Sequence, residues 1–359
     1  MPETADPATH GAGDSRLWAV TSYYNPAGYR RRLANYRVFR AELSVPLLTV
    51  EWSPAGEFQL GSGDADVLLQ VAGGDVMWQK ERLLNLGIAR LPPRCDHVAW
   101  LDCDVVFERG DWADRAIAAL GDARLVQLYD HVVHLSPVPI DELSVPGAWR
   151  AGRPERRRIG AGRLYRDAIA SGDRESLTRP PPGQPTLPPA TCGYGWAARR
   201  ELLEGHPLLD VWIVGGGDLA SYYAAIGLPD FHVRTRSLTP AHVEHYLERA
   251  ERLAAALEGR ISHLPGDVTH LWHGDLKDRH YSERYRILER HAFDPRRHLE
   301  ADDNGLWRWT AAAADLARDV RAYFESRFED GRPPGVEAGE VPGEGTGQAA
   351  DCAPGEARG

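Results

Sequence analysis

Apolar residues recur in two alternating patterns through the first third of the chain: unbroken runs, then every third or fourth position. Leu17 to Tyr23 and Leu47 to Trp52 are apolar runs of strand length. Between them, Leu33, Tyr36, Phe39 and Leu43 fall at helical spacing within Tyr29 to Leu43. The alternation continues with a strand at Val67 to Val71, a helix at Val76 to Leu91 and a strand at His97 to Asp102. A helix at Asp111 to Leu120 and a strand at Arg124 to Tyr129 follow. This βα alternation predicts an α/β fold with a doubly wound, mostly parallel sheet and flanking helices. Ligands of such sheets bind beyond the carboxyl ends of the strands, where Thr21, Glu51 and Asp102 fall.

From residue 136 to 190 the pattern dissolves into proline, glycine and arginine, with Pro180-Pro181-Pro182 and Pro188-Pro189 as punctuation. The segment reads as a long insertion, mostly loop, with one short helix near Leu164 to Ala170. Order resumes at Thr191, and helices at Pro240 to Leu257 and Leu306 to Phe328 close the fold. One domain is therefore expected over 16–328, between a disordered N-terminus at 1–15 and a disordered acidic tail at 329–359. The Gly/Pro/Glu/Ala composition of that tail cannot support a core.

The formal charge of −10 looks informative until it is located. Residues 1–15 carry three acids and no base, and residues 329–359 carry seven acids against Arg332 and Arg358, so the ends account for −8. The remaining −2 is close to neutral and makes no electrostatic case for nucleic acid. With 43 % hydrophobic residues in 359, the chain can bury a substantial core. No stretch approaches the roughly 20 apolar residues that span a bilayer. Met1 to Asp14 is polar and unlike a secretion signal, so a cytoplasmic location is expected. Cys95, Cys103, Cys192 and Cys352 lack Cys-x-x-Cys spacing, which argues against a disulfide framework or a thiolate zinc site.

Chemistry concentrates in Val98 to Phe107, an apolar run interrupted by Asp102 and Asp104. On a strand these carboxylates leave the same face and can meet one divalent cation or its bound water. Burying them uncompensated costs several kcal/mol, so either a metal or a solvent-exposed strand end must relieve the charge. His270 and His273, three residues apart around Leu271-Trp272, add two imidazoles. Neutral imidazole and carboxylate together suit a cation that also holds phosphate oxygens, although two satisfied histidines beside a core tryptophan would read the same way.

Four blocks in order carry a resemblance. They are Lys80-Glu81-Arg82-Leu83-Leu84-Asn85-Leu86-Gly87, which precedes the Asp102-Cys103-Asp104 strand, then Cys192-Gly193-Tyr194-Gly195-Trp196-Ala197, Trp212-Ile213-Val214-Gly215-Gly216-Gly217-Asp218 and His270-Leu271-Trp272-His273. Over residues 16–300 the chain resembles the β-1,4-galactosyltransferase group of metal-dependent, inverting glycosyltransferases with the GT-A fold. The resemblance implies Mn²⁺ or Mg²⁺ held by Asp104, His273 and His270, with Asp102 toward the ribose or a metal-bound water. It implies a general base at Asp218 and a diphosphate contact at Lys80. Thr21, Tyr23, Glu51, Gly193 and Trp196 would complete the donor side, and Trp212, Gly216 and Gly217 the acceptor side. The family's Glu before the base is Gly217 here, its second loop tryptophan is Val214, and its Arg-containing nucleotide loop is Ser22-Tyr23-Tyr24-Asn25-Pro26.

The implied reaction moves a hexose, with inversion, from a UDP-linked donor to a hydroxyl on a glycan, a lipid-linked acceptor or a small molecule. A lipid-linked acceptor would bring peripheral membrane association without a transmembrane segment. The rival classes are a sugar nucleotidyltransferase or another metal-dependent phosphoester enzyme, and a non-catalytic sugar-binding protein. The first lacks a Gly-rich, Lys-containing triphosphate loop near the first strand. The second has no reason to keep desolvated acids at Asp102, Asp104 and Asp218.

Overall fold

A computed structural model describes residues 16–185, 187–281 and 283–332. Strand β1 (Leu17–Tyr24) leads into helix α1 (Arg30–Glu42), then β2 (Leu47–Ser53), β3 (Val67–Ala72) and α2 (Lys80–Ile88). Next come β4 (His97–Leu101), β5 (Val105–Phe107), α3 (Trp112–Ala119), β6 (Leu125–Gln127), β7 (His131–Leu135), β8 (Pro154–Ile159) and α4 (Ala161–Ser171). The second half runs β9 (Gly195–Arg199), α5 (Arg200–Gly205), α6 (Gly217–Ala225), α7 (Pro229–Arg234), α8 (Pro240–Leu257), β10 (Ile261–His263) and β11 (Asp267–His270). The chain closes with α9 (Tyr285–Arg290), α10 (Pro295–His298), β12 (Leu299–Ala301), β13 (Trp307–Trp309) and α11 (Ala314–Glu325).

Seven strands form the main sheet in the order β10-β6-β9-β4-β1-β2-β3. All pairings are parallel except those of β9, which runs against both β4 and β6. β1 and β2 are buried along almost their whole length, as strands covered on both faces must be. From β1 the chain builds outward through β2 and β3, then crosses to the other side at β4. That reversal leaves a crevice beyond the carboxyl ends of β1 and β4, the position where such sheets bind ligands. The expected α/β class with a mostly parallel sheet and flanking helices is therefore what the chain forms.

A second sheet, β5-β11-β7-β8, stands beyond that edge. β5 pairs antiparallel with β11 in a register that sets His270 against Val105. Within the segment read from sequence as mostly loop, the short helix expected near 164–170 is α4, packed against β10, whereas the strand β8, paired with β7, lies outside that expectation. The arginine-rich sequence of β8 hides its strand character because it is an exposed edge, with Arg157 bidentate on Asp267 at 2.8 Å. The expected closing helix over 306–328 also differs. Trp307 and Trp309 alternate on β13, hydrogen-bonded to β12, and the helix begins only at Ala314.

The predicted tail starts too early as well. Glu329 is 2 % exposed and ion-paired with Arg32 and Arg327, and Asp330 accepts from the first amides of α1. Its composition is tail-like, but buried guanidinium partners fix its first residues. Residues 1–15 and 333–359, the rest of the expected disordered ends, lie outside the described residues. Among the described residues no helix is long and apolar enough to cross a membrane.

Helix α2 shows how the fold aims functional groups. A Cβ on Gly87 would sit within 2.9 Å of the Val20, Leu48 and Val50 side chains, so only glycine lets α2 lie so close on the sheet. Asn85 clamps Leu208 by two backbone hydrogen bonds of 2.9 and 3.0 Å, which ties the chain before Trp212 to the same helix. The Leu-Leu-Asn-x-Gly block thus fixes the heights of Lys80 and of the Gly215–Asp218 loop together.

Behind that loop, Trp212 packs between His232 and His242, at ring separations of 5.0 and 4.6 Å. All four nitrogens of these two imidazoles are buried without a partner, and burial pushes both groups down to about 3. They stay neutral in the fold and take up a proton on unfolding below about pH 6.5. Stability should therefore be complete above pH 6.5 and fall toward pH 3, by roughly 1.4 kcal/mol per pH unit for each histidine. Urea midpoints at pH 7 and pH 5 measure this, and His242→Phe should flatten the dependence; equal midpoints in the parent would contradict it.

Candidate active site

β4 ends at Leu101, so Asp102 is the first residue past the strand and Asp104 lies in the turn before β5. The turn is stitched to the β9 entry. The Asp102 amide donates to the Tyr194 carbonyl at 2.9 Å, and the Tyr194 amide donates to Asp102 Oδ2 at 3.2 Å. Tyr194 adopts φ 75°, a left-handed conformation that costs a non-glycine residue and here turns its amide onto the carboxylate.

The β5–β11 register explains the second group. The Leu271 amide donates to the Asp104 carbonyl at 2.9 Å, bringing the end of β11 over the aspartate. His273 Nε2 lies 3.0 Å from Asp104 Oδ2, His270 Nε2 3.8 Å from Oδ1, and the two Nε2 atoms 3.1 Å from each other. One ligand atom from each residue falls within 4.8 Å of the others. Burial favours a neutral Asp104, but the flanking imidazoles outweigh it and hold the carboxyl well below the usual range. Burial keeps His270 well below its ordinary value and thus neutral. Asp104 Oδ1 is buried without a hydrogen bond. Two converging imidazole nitrogens and an unpartnered carboxylate oxygen are what a divalent cation would satisfy, so the donor set fits one.

Glu329 supports this group from behind, with Oε2 at 3.5 Å from His273 Nδ1. Arg32 and Arg327 hold it at 2.6 and 2.9 Å. A carboxylate on Nδ1 favours the tautomer whose Nε2 lone pair faces Asp104. Nothing in the local sequence pattern marks Glu329, which lies 56 positions downstream of His273 in a polar segment.

On the other side, Lys80 bridges two acids, 2.5 Å from Asp102 Oδ1 and 2.9 Å from Asp218 Oδ2. Burial opposes its charge, but Asp102 and Asp218 outweigh it and raise the ammonium well above its ordinary value. Asp218 is the second residue of α6, where the helix N-terminus favours an anion. Gly216, at φ 104°, turns the chain into that helix, and a side chain there would collide with the Tyr285 hydroxyl. A Cβ on Gly217 would come within 2.5 Å of Glu81 Oε1, so the Glu that the resemblance leads one to expect is replaced where no side chain fits. Gly193 faces the gap between the acids, its would-be Cβ 3.2 Å from Asp218 Oδ2 and 3.6 Å from Asp102 Oδ2.

Buried guanidiniums complete the cleft. Arg279 contacts the His273 ring nitrogens at 2.9 Å, and Arg284 donates to the Tyr323 hydroxyl at 3.3 Å beside Gly215 and Gly216. Neither is in a salt bridge among the described residues, and the Nε of each is buried without a partner. The charge-rich run after His273 was the available signal for them, and it reads equally as a solvated loop.

The expected site set therefore divides. Asp102, Asp104, His270, His273, Lys80, Asp218 and Gly193 converge, with Asp102 occupied by Lys80 and Tyr194 rather than by the imidazoles. Other residues are used by the fold instead of facing a ligand. Thr21 donates to the Leu101 carbonyl, and Glu51 accepts from the Gln59 and Leu60 amides and from Gln70. Tyr23 is 1 % exposed, edge-on to Tyr36 and bonded to Gln59, so it offers no face to a base. Trp212 is a core residue, and Trp196 donates to the Cys192 carbonyl behind the cleft. Gly216 and Gly217 are explained by close packing rather than by an acceptor.

No protein-family model matches the chain, and no curated protein does. Among solved structures it is similar to glucosyl-3-phosphoglycerate synthase of Mycobacterium tuberculosis, at 13 % identity over 90 % of this chain and 85 % of that one, with a TM-score of 0.33. The same synthase with Mn²⁺, UDP-glucose and phosphoglyceric acid gives 14 % identity, 90 % and 84 % coverage and a TM-score of 0.33. S. aureus TarS 1-349 in complex with UDP-GlcNAc gives 11 % identity over 70 % of this chain and 58 % of that one, with a TM-score of 0.29.

Proposed function

We propose that this protein is a metal-dependent, GT-A-type glycosyltransferase that uses a nucleoside-diphosphate sugar, with UDP as the nucleotide, and one catalytic domain from residue 16 through at least Arg332. The observation that carries the reading is the convergence of Asp104, His270 and His273 beside Arg279, a buried guanidinium in no salt bridge among the described residues. The Nε of this guanidinium is buried without a partner, and a diphosphate is a ligand that would satisfy both it and a metal. Asp104, His270 and His273 would hold the cation, and two imidazoles favour Mn²⁺ over Mg²⁺, which prefers oxygen ligands. When bound, that ion neutralises charge developing on the leaving diphosphate.

The remaining roles belong to the chain's own groups. Arg279 and Arg284 bind phosphate oxygens by charge-assisted hydrogen bonds. Asp102, at the strand end, accepts from a donor hydroxyl once Lys80 turns to the diphosphate. Asp218 then accepts the proton of the attacking acceptor hydroxyl at its carboxylate, on the side of the cleft away from the cation, as inversion requires.

Calorimetry with UDP tests the proposal. Affinity should be much higher with Mn²⁺ than with chelator, and ligand at 100 times its dissociation constant should stabilise the fold by about 2.7 kcal/mol. Equal UDP affinity with and without metal would remove it. A nucleotidyltransferase would instead favour a nucleoside triphosphate in the same titration.

A further inference from the structure

Arg156, His134 and His270 stand in one row across three neighbouring strands of the second sheet. The β7–β8 pairing sets Arg156 against His134, and the β7–β11 pairing sets His134 against His270. Side chains meet along the row: Arg156 Nη2 lies 3.4 Å from His134 Nε2, and His134 Nδ1 lies 3.2 Å from His270 Nδ1. Arg157 leaves the opposite face of β8 and is taken up by Asp267.

These contacts fix where each imidazole carries its proton. A guanidinium can only donate, so His134 Nε2 accepts and is bare. His134 therefore holds its proton on Nδ1 and donates it to His270 Nδ1. With that nitrogen accepting, the His270 proton sits on Nε2, 3.1 Å from His273 Nε2. The far end agrees, because the Glu329 carboxylate can only accept and faces His273 Nδ1 at 3.5 Å, which leaves His273 Nε2 bare. Arg279, 2.9 Å from both His273 nitrogens, donates to the bare one. The row thus runs one way, from the Arg156 guanidinium to the Glu329 carboxylate.

A cation needs the opposite at one atom. To ligate, His270 Nε2 must present a lone pair, and the His270 proton must move to Nδ1. We propose that Arg156 and His134 form a tautomer latch on the cation site, positioning residues that keep a proton on the ligating nitrogen of His270 until Arg156 turns away from His134. On ligation the His270 Nε2 proton passes to water, the His134 Nδ1 proton crosses to His270 Nδ1, and His134 Nε2 takes a proton from water. No net proton is gained or lost. His134 Nε2–H would then face a group that can only donate, so Arg156 has to leave. The inference rests on reading Asp104, His270 and His273 as a cation site and is independent of sugar transfer.

Long-range proton–nitrogen correlation NMR of the full chain tests it directly. In chelator the protons should lie on His134 Nδ1 and His270 Nε2; with Zn²⁺, a diamagnetic ion, they should lie on His134 Nε2 and His270 Nδ1. Arg156→Gln supplies an amide oxygen that accepts from His134 Nε2–H, so its Mn²⁺ affinity, read by electron paramagnetic resonance, should rise about tenfold, within the range for outer partners of a ligating histidine. Arg156→Lys, which still only donates, should bind Mn²⁺ like the parent. A His270 proton on Nδ1 in chelator, no gain in Arg156→Gln, or an equal gain in Arg156→Lys would overturn the latch while leaving the cation site standing. Failure of both Mn²⁺ and Zn²⁺ to bind parent and variants alike would instead remove the cation site, and the latch with it.

Discussion

Asp104→Asn should lose Mn²⁺ affinity by more than 100-fold and lose metal-dependent turnover with it, while the protein keeps its fold. The substitution preserves size but removes the single anion between His270 and His273, at 3.8 and 3.0 Å. Glu329→Gln is the informative companion. It leaves all three candidate ligands in place and removes the charge that faces His273 Nδ1, so metal affinity should fall by about 10- to 100-fold, the range for outer partners of a ligating histidine. Titration of Mn²⁺ monitored by electron paramagnetic resonance measures both without any assay of transfer. If Asp104→Asn bound Mn²⁺ like the parent, the cluster would be a buried acid with two structural histidines. A chain ending at Phe328 should reproduce the Glu329→Gln defect, whereas one ending at Arg332 should not.

What was legible in the sequence is the part built by short-range geometry. An Asp-x-Asp at a strand end and a His-x-x-His after a later strand announce themselves because each pair lies within one element. The β5–β11 pairing, which brings them together, could only be inferred by resemblance. The Lys80 block was equally readable, since one helix carries the site lysine, the Asn85 clamp and the Gly87 approach.

Strand-end position proved a poor guide to side-chain fate. Thr21 and Glu51 both sit near carboxyl ends of parallel strands, yet a buried threonine and a buried carboxylate there are consumed by neighbouring backbone groups. Aromatic character misled in the same way. Tyr23 and Trp212 look like platforms for a base or a sugar, but large aromatics beside a wide sheet bury more area as core, and both are 1 % exposed. Glu329 was invisible for the opposite reason. Its neighbours in sequence are those of a tail, and it is Arg32, from the first helix, together with Arg327 and His273, that makes its burial favourable.

Asp218→Asn should reduce turnover by about 10²- to 10⁴-fold, the usual contribution of a general base, with UDP and Mn²⁺ affinities nearly unchanged. Asparagine can still accept from Lys80 Nζ, now 2.9 and 3.2 Å from the two carboxylate oxygens, so the geometry of the bridge to Asp102 survives. What disappears is the ability to take a proton. The position is already prepared for an anion by the α6 N-terminus and by Lys80, and Gly193 leaves the gap before it free of side chain. Selectivity of the damage is therefore the diagnostic. Unaltered turnover would strip Asp218 of the role, and a matching loss of UDP affinity would make it a donor contact. Asp210 would not replace it, because it is buried and paired with Arg82 at 3.0 Å. The neighbouring carboxyl that remains is Glu81, which burial holds near 8, and a base with that value would show transfer rising through pH 8 rather than levelling off below it.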